Sequence, residues 1–425
     1  MPVNRRTFLQ AGATGAFGLL AMPRPLWAAA YHVGIGRDTS GYAAAVRAIA
    51  ASGQWPGPQI AGRRVIIKPN LVSAMASTTG ATTDPEVTRA VVDLAIESGA
   101  SDVRIVETGP NGANFSPCGY DFFPGYDPQG RVGLINLGDE PVTLAPVPGG
   151  GLAYSAIFAP DILLDPQAIY VSVAKLKTHG EVLATLSFKN QFGLPAVDRY
   201  VSRPSIGRFA MHDRGIQQAI VDINMVRPAH FAVIDGIFGM EGVGPSFGTP
   251  VRMDVVLAGA NAVAVDRVAL HAMNVPAGGV RYLVHASRAG LGPADVSSIT
   301  TSGDPLPQHA FLLPPIAPVI EYPRVLPAAF TPAHGESVTA YIGYVDAVIR
   351  EIDVLELFED STAVRVVRTL APLAGRAGGA ETIAWDGRDN DGAAVSPGRY
   401  AIHVRAFNPR ARTRHADGVG WVTAL

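Results

Sequence analysis

Three consecutive segments constrain the fold of this chain more than any other feature. Arg64-Val65-Ile66-Ile67-Lys68 is a β-branched run that stops at Lys68-Pro69-Asn70, where proline forbids simple continuation of a strand. Thr83-Asp84-Pro85-Glu86 then opens a helix with a capping residue, a proline in the first turn and a glutamate. Val87, Val91, Leu94 and Ala95 share its inner face, and Gly99 ends it. Val103-Arg104-Ile105-Val106 follows as a strand that ends at Glu107-Thr108-Gly109. Strand, helix and strand at this spacing form a βαβ unit with a parallel pair.

The alternation continues along the chain. Ser40 to Ser52 reads as a capped, alanine-rich helix, and residues 110–160 as a loop-rich insertion. Ala168 to Val173, Phe231 to Asp235 and Asp254 to Ala258 read as strands. Gly215 to Met225 and Ala262 to Met273 read as helices. The expectation is an α/β domain over residues 31–304, a mainly parallel sheet flanked by helices. A proline-rich linker over 305–332 leads to a second region, 333–425. There Val364 to Val367, Thr382 to Trp385 and Arg399 to Val404 read as short strands with turns at Asp391-Gly392 and Pro397-Gly398. That pattern predicts a small Ig-like β-sandwich. Asp386 to Gly392 lacks the acidic positions of a calcium loop and reads as a plain turn.

The N-terminus carries Arg5-Arg6-Thr7-Phe8-Leu9, a mildly apolar run from Ala11 to Met22, and Ala28-Ala29-Ala30. This predicts a twin-arginine signal peptide over 1–30, with the export machinery as a partner and a periplasmic or extracellular destination. The apolar run is too short to span a bilayer, so no stable membrane span is expected after cleavage. A net charge of -2 argues against nucleic acid as a partner. Cys118 is the single cysteine, which excludes an intramolecular disulfide and a Cys-ligated iron–sulfur cluster. Its loop context predicts an inert free thiol.

Lysine is the rarest cation. Only Lys68, Lys175, Lys177 and Lys189 occur, and the other thirty cationic side chains are arginine. Lysine offers a compact point charge whose pKa moves on burial, which arginine does not. Lys68, Asn70, Glu107, Lys175, Lys177, His179, Asp235 and Glu241 all follow the carboxyl end of an expected strand, where open α/β sheets bind ligands. Convergence of these lysines predicts a crevice for a small anionic ligand, a carboxylate or phosphate. Lys177, His179 and Lys175 are the candidate catalytic residues, as base, nucleophile or acid/base. Lys68, Asn70, Glu107, Lys189, Asn190 and His212 are the candidate ligand-binding residues. A divalent metal is a further possibility, with Asp235, Glu241 and Asp266 as ligands, although no short-spaced histidine pair fixes it. Gly244-Pro245-Ser246-Phe247-Gly248 matches the serine-hydrolase pentapeptide but lacks the preceding strand and following helix.

Together these segments resemble the domain of unknown function 362 family over roughly residues 60–275. The resemblance rests on Val65 to Asn70, Thr82 to Val87, Lys175-Leu176-Lys177-Thr178-His179, Phe188-Lys189-Asn190 with Phe192-Gly193, Val233 to Gly236 with Met240-Glu241-Gly242 and Gly244-Pro245, and Ala264-Val265-Asp266. It implies the fold and the position of the site, and no particular reaction. The C-terminal region resembles the immunoglobulin-like domain of flagellar hook-capping proteins, on Thr382 to Asp389, Asp391-Gly392 and Ser396 to Tyr400. That implies an accessory or docking module. Three functions follow as expectations: an exported enzyme acting on a small anion, a non-catalytic binder of an anion or metal complex, and a surface interaction protein that uses the sandwich.

Overall fold

The computed structural model describes residues 31–108, 113–200, 208–314, 320–344, 348–357, 364–409 and 411–425. The twin-arginine segment lies outside the described residues.

Eleven strands build the first domain: β1 Tyr31–Arg37, β2 Arg64–Pro69, β3 Asp102–Glu107, β4 Val132–Asn136, β5 Val142–Pro146, β6 Ala156–Pro160, β7 Ile169–His179, β8 Leu183–Thr185, β9 Phe231–Glu241, β10 Thr249–Gly259 and β11 Ile299–Gly303. The main sheet runs β11-β1-β10-β9-β7-β2-β3-β4, and β8 pairs with β7. All pairings are parallel except those of β10 and β8. The expected α/β class is therefore what forms. β5 and β6 form a separate hairpin inside the 110–160 insertion.

Apolar side chains leave both faces of the sheet, and helices cover each. On one face α1 (Gly41–Ser52) and α2 (Pro85–Glu97) bury Ala44, Ala48, Ile49, Val87, Val91 and Ala95 against Val65, Ile67, Ile169, Val171 and Val173. Ser40 caps α1 by accepting from Ala43 N, and Asp84 caps α2 by accepting from Glu86 N. Gly36 lets α1 lie close, because a Cβ there would stand 2.1 Å from Ala44 O. On the other face α3 (Ser187–Asn190), α4 (Ile216–Val226), α5 (Ala262–Ala272) and α6 (Arg281–Arg288) cover Ile66, Tyr170, Ala174 and Leu176.

Two sequence expectations are revised. β7 and β9 are far longer than the expected strands, so Lys175, Lys177, His179 and Glu241 lie within strands and not beyond them. Both strands outrun β2 and β3 and keep pairing with each other, while β7 also pairs with β8 and β9 with β10. The segment 305–332 is also not a free linker. His309 N and Phe311 N donate to Ala272 O and Met273 O, which ties its start to α5.

Its end is already sandwich. β12 (Ile320–Leu326), β14 (Val338–Tyr344) and β17 (Gly379–Trp385) form one sheet. β13 (Ala329–Phe330), β15 (Val348–Leu357), β16 (Val364–Arg376), β18 (Gly398–Asn408) and β19 (Ala411–Ala424) form the other. Pro323 is accommodated because β12 is an edge strand with a register shift between Glu321 and Arg324. The sandwich closes over Trp385, Tyr400, Ile352, Ile402 and Val404. Asp389 Oδ1 accepts from Asp391 N and Ala393 N, so the 386–392 loop is a turn held by its own carboxylate. β19 lies against the first domain, where Trp421 Nε1 donates to Leu152 O and Arg214 stacks 5.6 Å from the Trp421 ring.

Candidate functional site

The four lysines gather at the carboxyl ends of β2, β3, β7 and β9, and they leave the sheet on both faces. Lys68 continues the face of Ile66; Lys175 and Lys177 continue the face of Val171 and Val173. Two asparagines join the sides. Asn190 Oδ1 accepts from Asn70 Nδ2 at 3.1 Å and lies 3.4 Å from Lys68 Nζ. Asn70 Oδ1 accepts from Lys177 Nζ at 2.9 Å. Asn190 Nδ2 donates to Lys68 O and Ser172 Oγ.

Two lysines are neutralised where they stand. Lys68 Nζ lies 2.8 and 2.9 Å from the two oxygens of Glu107. The same carboxylate accepts from Leu71 N and Thr108 N, each at 2.9 Å. Burial pushes the Lys68 amine below its ordinary range, and Glu107 opposes that shift. Lys175 Nζ meets Asp235 Oδ2 at 2.7 Å with neither side chain exposed. Asp235 also accepts from Asp84 N and Ile237 N.

Among the described residues no carboxylate pairs with Lys177. Its ammonium donates to Asn70 Oδ1, Ala81 O at 2.5 Å and Pro245 O at 3.2 Å. Burial, then Lys175 and Lys189, push its pKa well down, and the charge of Glu107 opposes them. Lys189 has less: among the described residues no oxygen accepts from it, and its Nζ stands 4.0 Å over the Phe192 ring. Burial lowers its pKa to about 7, with Glu181 opposing and Arg208 and Lys68 assisting. It is 8 % exposed, against 0 % for Lys177.

Lys189 and Asn190 sit on α3, and Asp266 holds that helix. The Asp266 carboxylate accepts from Ser187 N at 2.8 Å, from Phe188 N at 3.0 Å and from Ser187 Oγ. Burial raises its pKa to about 7.

Two further residues shape the site: Arg208, which no motif marks, and Gly193, which closes the Phe192-Gly193 pair. Arg208 donates to Pro195 O and Gly193 O, and burial lowers its pKa to about 10. Gly193 is a steric requirement, since a Cβ there would lie 2.8 Å from Lys68 Nζ. The Phe192-Gly193 pair was the available clue to it.

His179 takes a different position from the one its residue type suggests. Its Nδ1 accepts from Glu181 N at 3.1 Å and faces Val182 N at 3.4 Å, so the ring pins the β7–β8 turn. Burial, then Lys189, keeps it neutral by pushing its pKa well down. His212 pairs through Nδ1 with Glu181 Oε2 at 2.8 Å and sets its ring edge-on to Phe192.

The expected metal ligands do not converge among the described residues. Asp235 is saturated by Lys175 and two backbone amides, Asp266 caps α3, and Glu241 accepts from Leu312 N beside His309. Cys118 is buried, with its Sγ 3.4 Å from Ser73 O, and burial raises its pKa. Ser246 Oγ hydrogen-bonds Ser73 Oγ in the β9–β10 connection, away from any nucleophile elbow.

The family model for the domain of unknown function DUF362 matches residues 65–271, the span that carries this arrangement. Residues 65–271 are a DUF362 domain. The FlgD Ig-like domain matches residues 358–409 in the sandwich. A thylakoid-associated protein of Synechocystis sp. is similar at 26% identity over 278 residues, 63% of this chain and 82% of that protein. Two solved structures overlap in part. FlgD from P. aeruginosa gives 17% identity and a TM-score of 0.19, covering 25% of this chain and 71% of that chain. PorZ of Porphyromonas gingivalis gives 17% and 0.16, covering 24% of this chain and 11% of that one. At these TM-scores neither structure carries an argument. No helix among the described residues is long and apolar enough to cross a membrane.

Proposed function

We propose that the DUF362 domain is the catalytic part of an exported, periplasmic or extracellular enzyme acting on a small carboxylate- or phosphate-bearing substrate. The observation that carries this reading is Lys189: a buried ammonium over an aromatic ring with no anion or oxygen partner among the described residues. The Lys68–Glu107 and Lys175–Asp235 pairs are neutral overall and fix geometry. They leave Lys189, with Arg208 nearby, to receive the negative charge of a ligand. A pKa of about 7 lets Lys189 give or take a proton at neutral pH. Lys177, linked to it through Asn70 and Asn190, is the second amine for proton transfer. Export rests on the paired arginines Arg5 and Arg6 before a short apolar run.

The test is incubation of the purified chain with a mixture of small carboxylates and phosphate esters, followed by mass spectrometry for bound and consumed compounds. Consumption that persists in Lys189→Arg at reduced rate and vanishes in Lys189→Met and Lys177→Arg supports the enzyme. Binding without consumption, retained in Lys177→Arg, replaces it with a non-catalytic anion binder. Neither binding nor consumption removes both readings.

A further inference from the structure

Away from the lysines, a second polar cluster spans the seam between the two domains. Glu181 lies in the turn between β7 and β8, while His415 and Asp417 lie two residues apart on one face of β19. Glu181 Oε1 is 4.0 Å from His415 Nε2, and Asp417 Oδ2 is 3.4 Å from the same nitrogen. The three ligand atoms lie within 4.8 Å of one another.

Each carboxylate spends one oxygen on a flanking histidine. His212 Nδ1 is 2.8 Å from Glu181 Oε2, and His403 Nε2 is 2.7 Å from Asp417 Oδ1. The other oxygen of each, Glu181 Oε1 and Asp417 Oδ2, is buried without a hydrogen-bond partner. Asp417 is 5 % exposed as a residue, so its orphaned oxygen has almost no water to turn to. Two bare carboxylate oxygens aimed at one point repel each other unless a cation lies between them.

We propose that Glu181, His415 and Asp417 bind one divalent metal ion of the zinc class across the domain seam, with His212 and His403 orienting the two carboxylates. Two ligands at about 2.0–2.2 Å from one tetrahedral ion stand about 3.4 Å apart. The His415–Asp417 spacing already has that value, and Glu181 Oε1 must move in from 4.0 Å by at least about 0.6 Å. Two carboxylates and a neutral imidazole balance a doubly charged ion, and nitrogen with oxygen donors suits zinc or manganese over calcium. Histidine–carboxylate contacts behind the ligands are the usual orienting arrangement in such sites. The ion fastens β19 to the turn after His179, close to the lysine site. This proposal is independent of the enzyme reading.

The test uses tag-free full-length protein, stripped with a chelator and titrated with zinc chloride. We expect about one ion per chain by atomic emission, and an affinity at least about tenfold weaker in His415→Gln and in Asp417→Asn. Cobalt(II) should give a visible ligand-field spectrum in the wild type and none in His415→Gln. Chelation should lower the Tm of the wild type and leave that of His415→Gln unmoved, a comparison that holds even if Asp417→Asn folds poorly. No ion retained by the wild type, or retention equal in His415→Gln, overturns the proposal. In that case the cluster is an imidazole shared by two carboxylates.

Discussion

Two parts of one rim treat the same side chain in opposite ways. At Lys68 and Lys175 the sheet supplies a carboxylate at salt-bridge distance, and each carboxylate is itself held by backbone amides. At Lys177 and Lys189 it supplies carbonyl and amide oxygens, or a ring face. The first arrangement sets each buried ammonium against an opposite charge. The second leaves an amine whose proton is easily moved, which is where chemistry can occur.

The largest effect should come from breaking a neutral pair. Glu107→Gln leaves Lys68 buried without its counter-charge and should cost about 3–5 kcal/mol in urea unfolding of the first domain. A loss below about 1 kcal/mol would mean that Lys68 is not held as a charge and the contrast fails.

Lys189 tests the other side by pH. Its folded pKa, about 7, lies below the ordinary 10.5. Between those values the unfolded chain holds the extra proton, so stability rises with pH across this window and is lost as pH falls through about 7. Lys189→Met should flatten that rise, and identical stability profiles for the two proteins would refute the shift.

A smaller loss, about 1–3 kcal/mol, is expected for Asn70→Ala, which strands an N–H of Lys177 and weakens the link to Asn190. Rescue of that loss by Asn70→Asp, which would pair Lys177, sharpens the comparison. Smallest of all is Arg365→Ala in the sandwich. Its partner Glu356 meets it at an exposed edge, so thermal unfolding should change by about 0.5 kcal/mol or less.

Much of the scaffold was legible from the sequence because local rules and the final fold agree. Ser40 and Asp84 cap the helices they were expected to open, and the βαβ unit forms the pair it implied. The lysines do meet at strand ends, because a parallel sheet brings such ends together. What stayed hidden depends on partners far along the chain. Nothing near Lys68 says that Glu107, and not a ligand, will neutralise it. Glu181 follows no motif, and its importance comes from His212 and His415. The lengths of β7 and β9 were missed because each supports the other beyond the point where its own apolar run ends. The segment 305–332 read as a linker because proline density hides an edge strand.

The ammonium of Lys177 works as a tripod. Its three hydrogens reach Asn70 and Ala81 in the connection from β2 to α2 and Pro245 in the connection from β9 to β10. An amine has only two hydrogens, so each loss of a proton leaves one foot without a grip. A change of charge at this nitrogen would therefore bear on both connections at once.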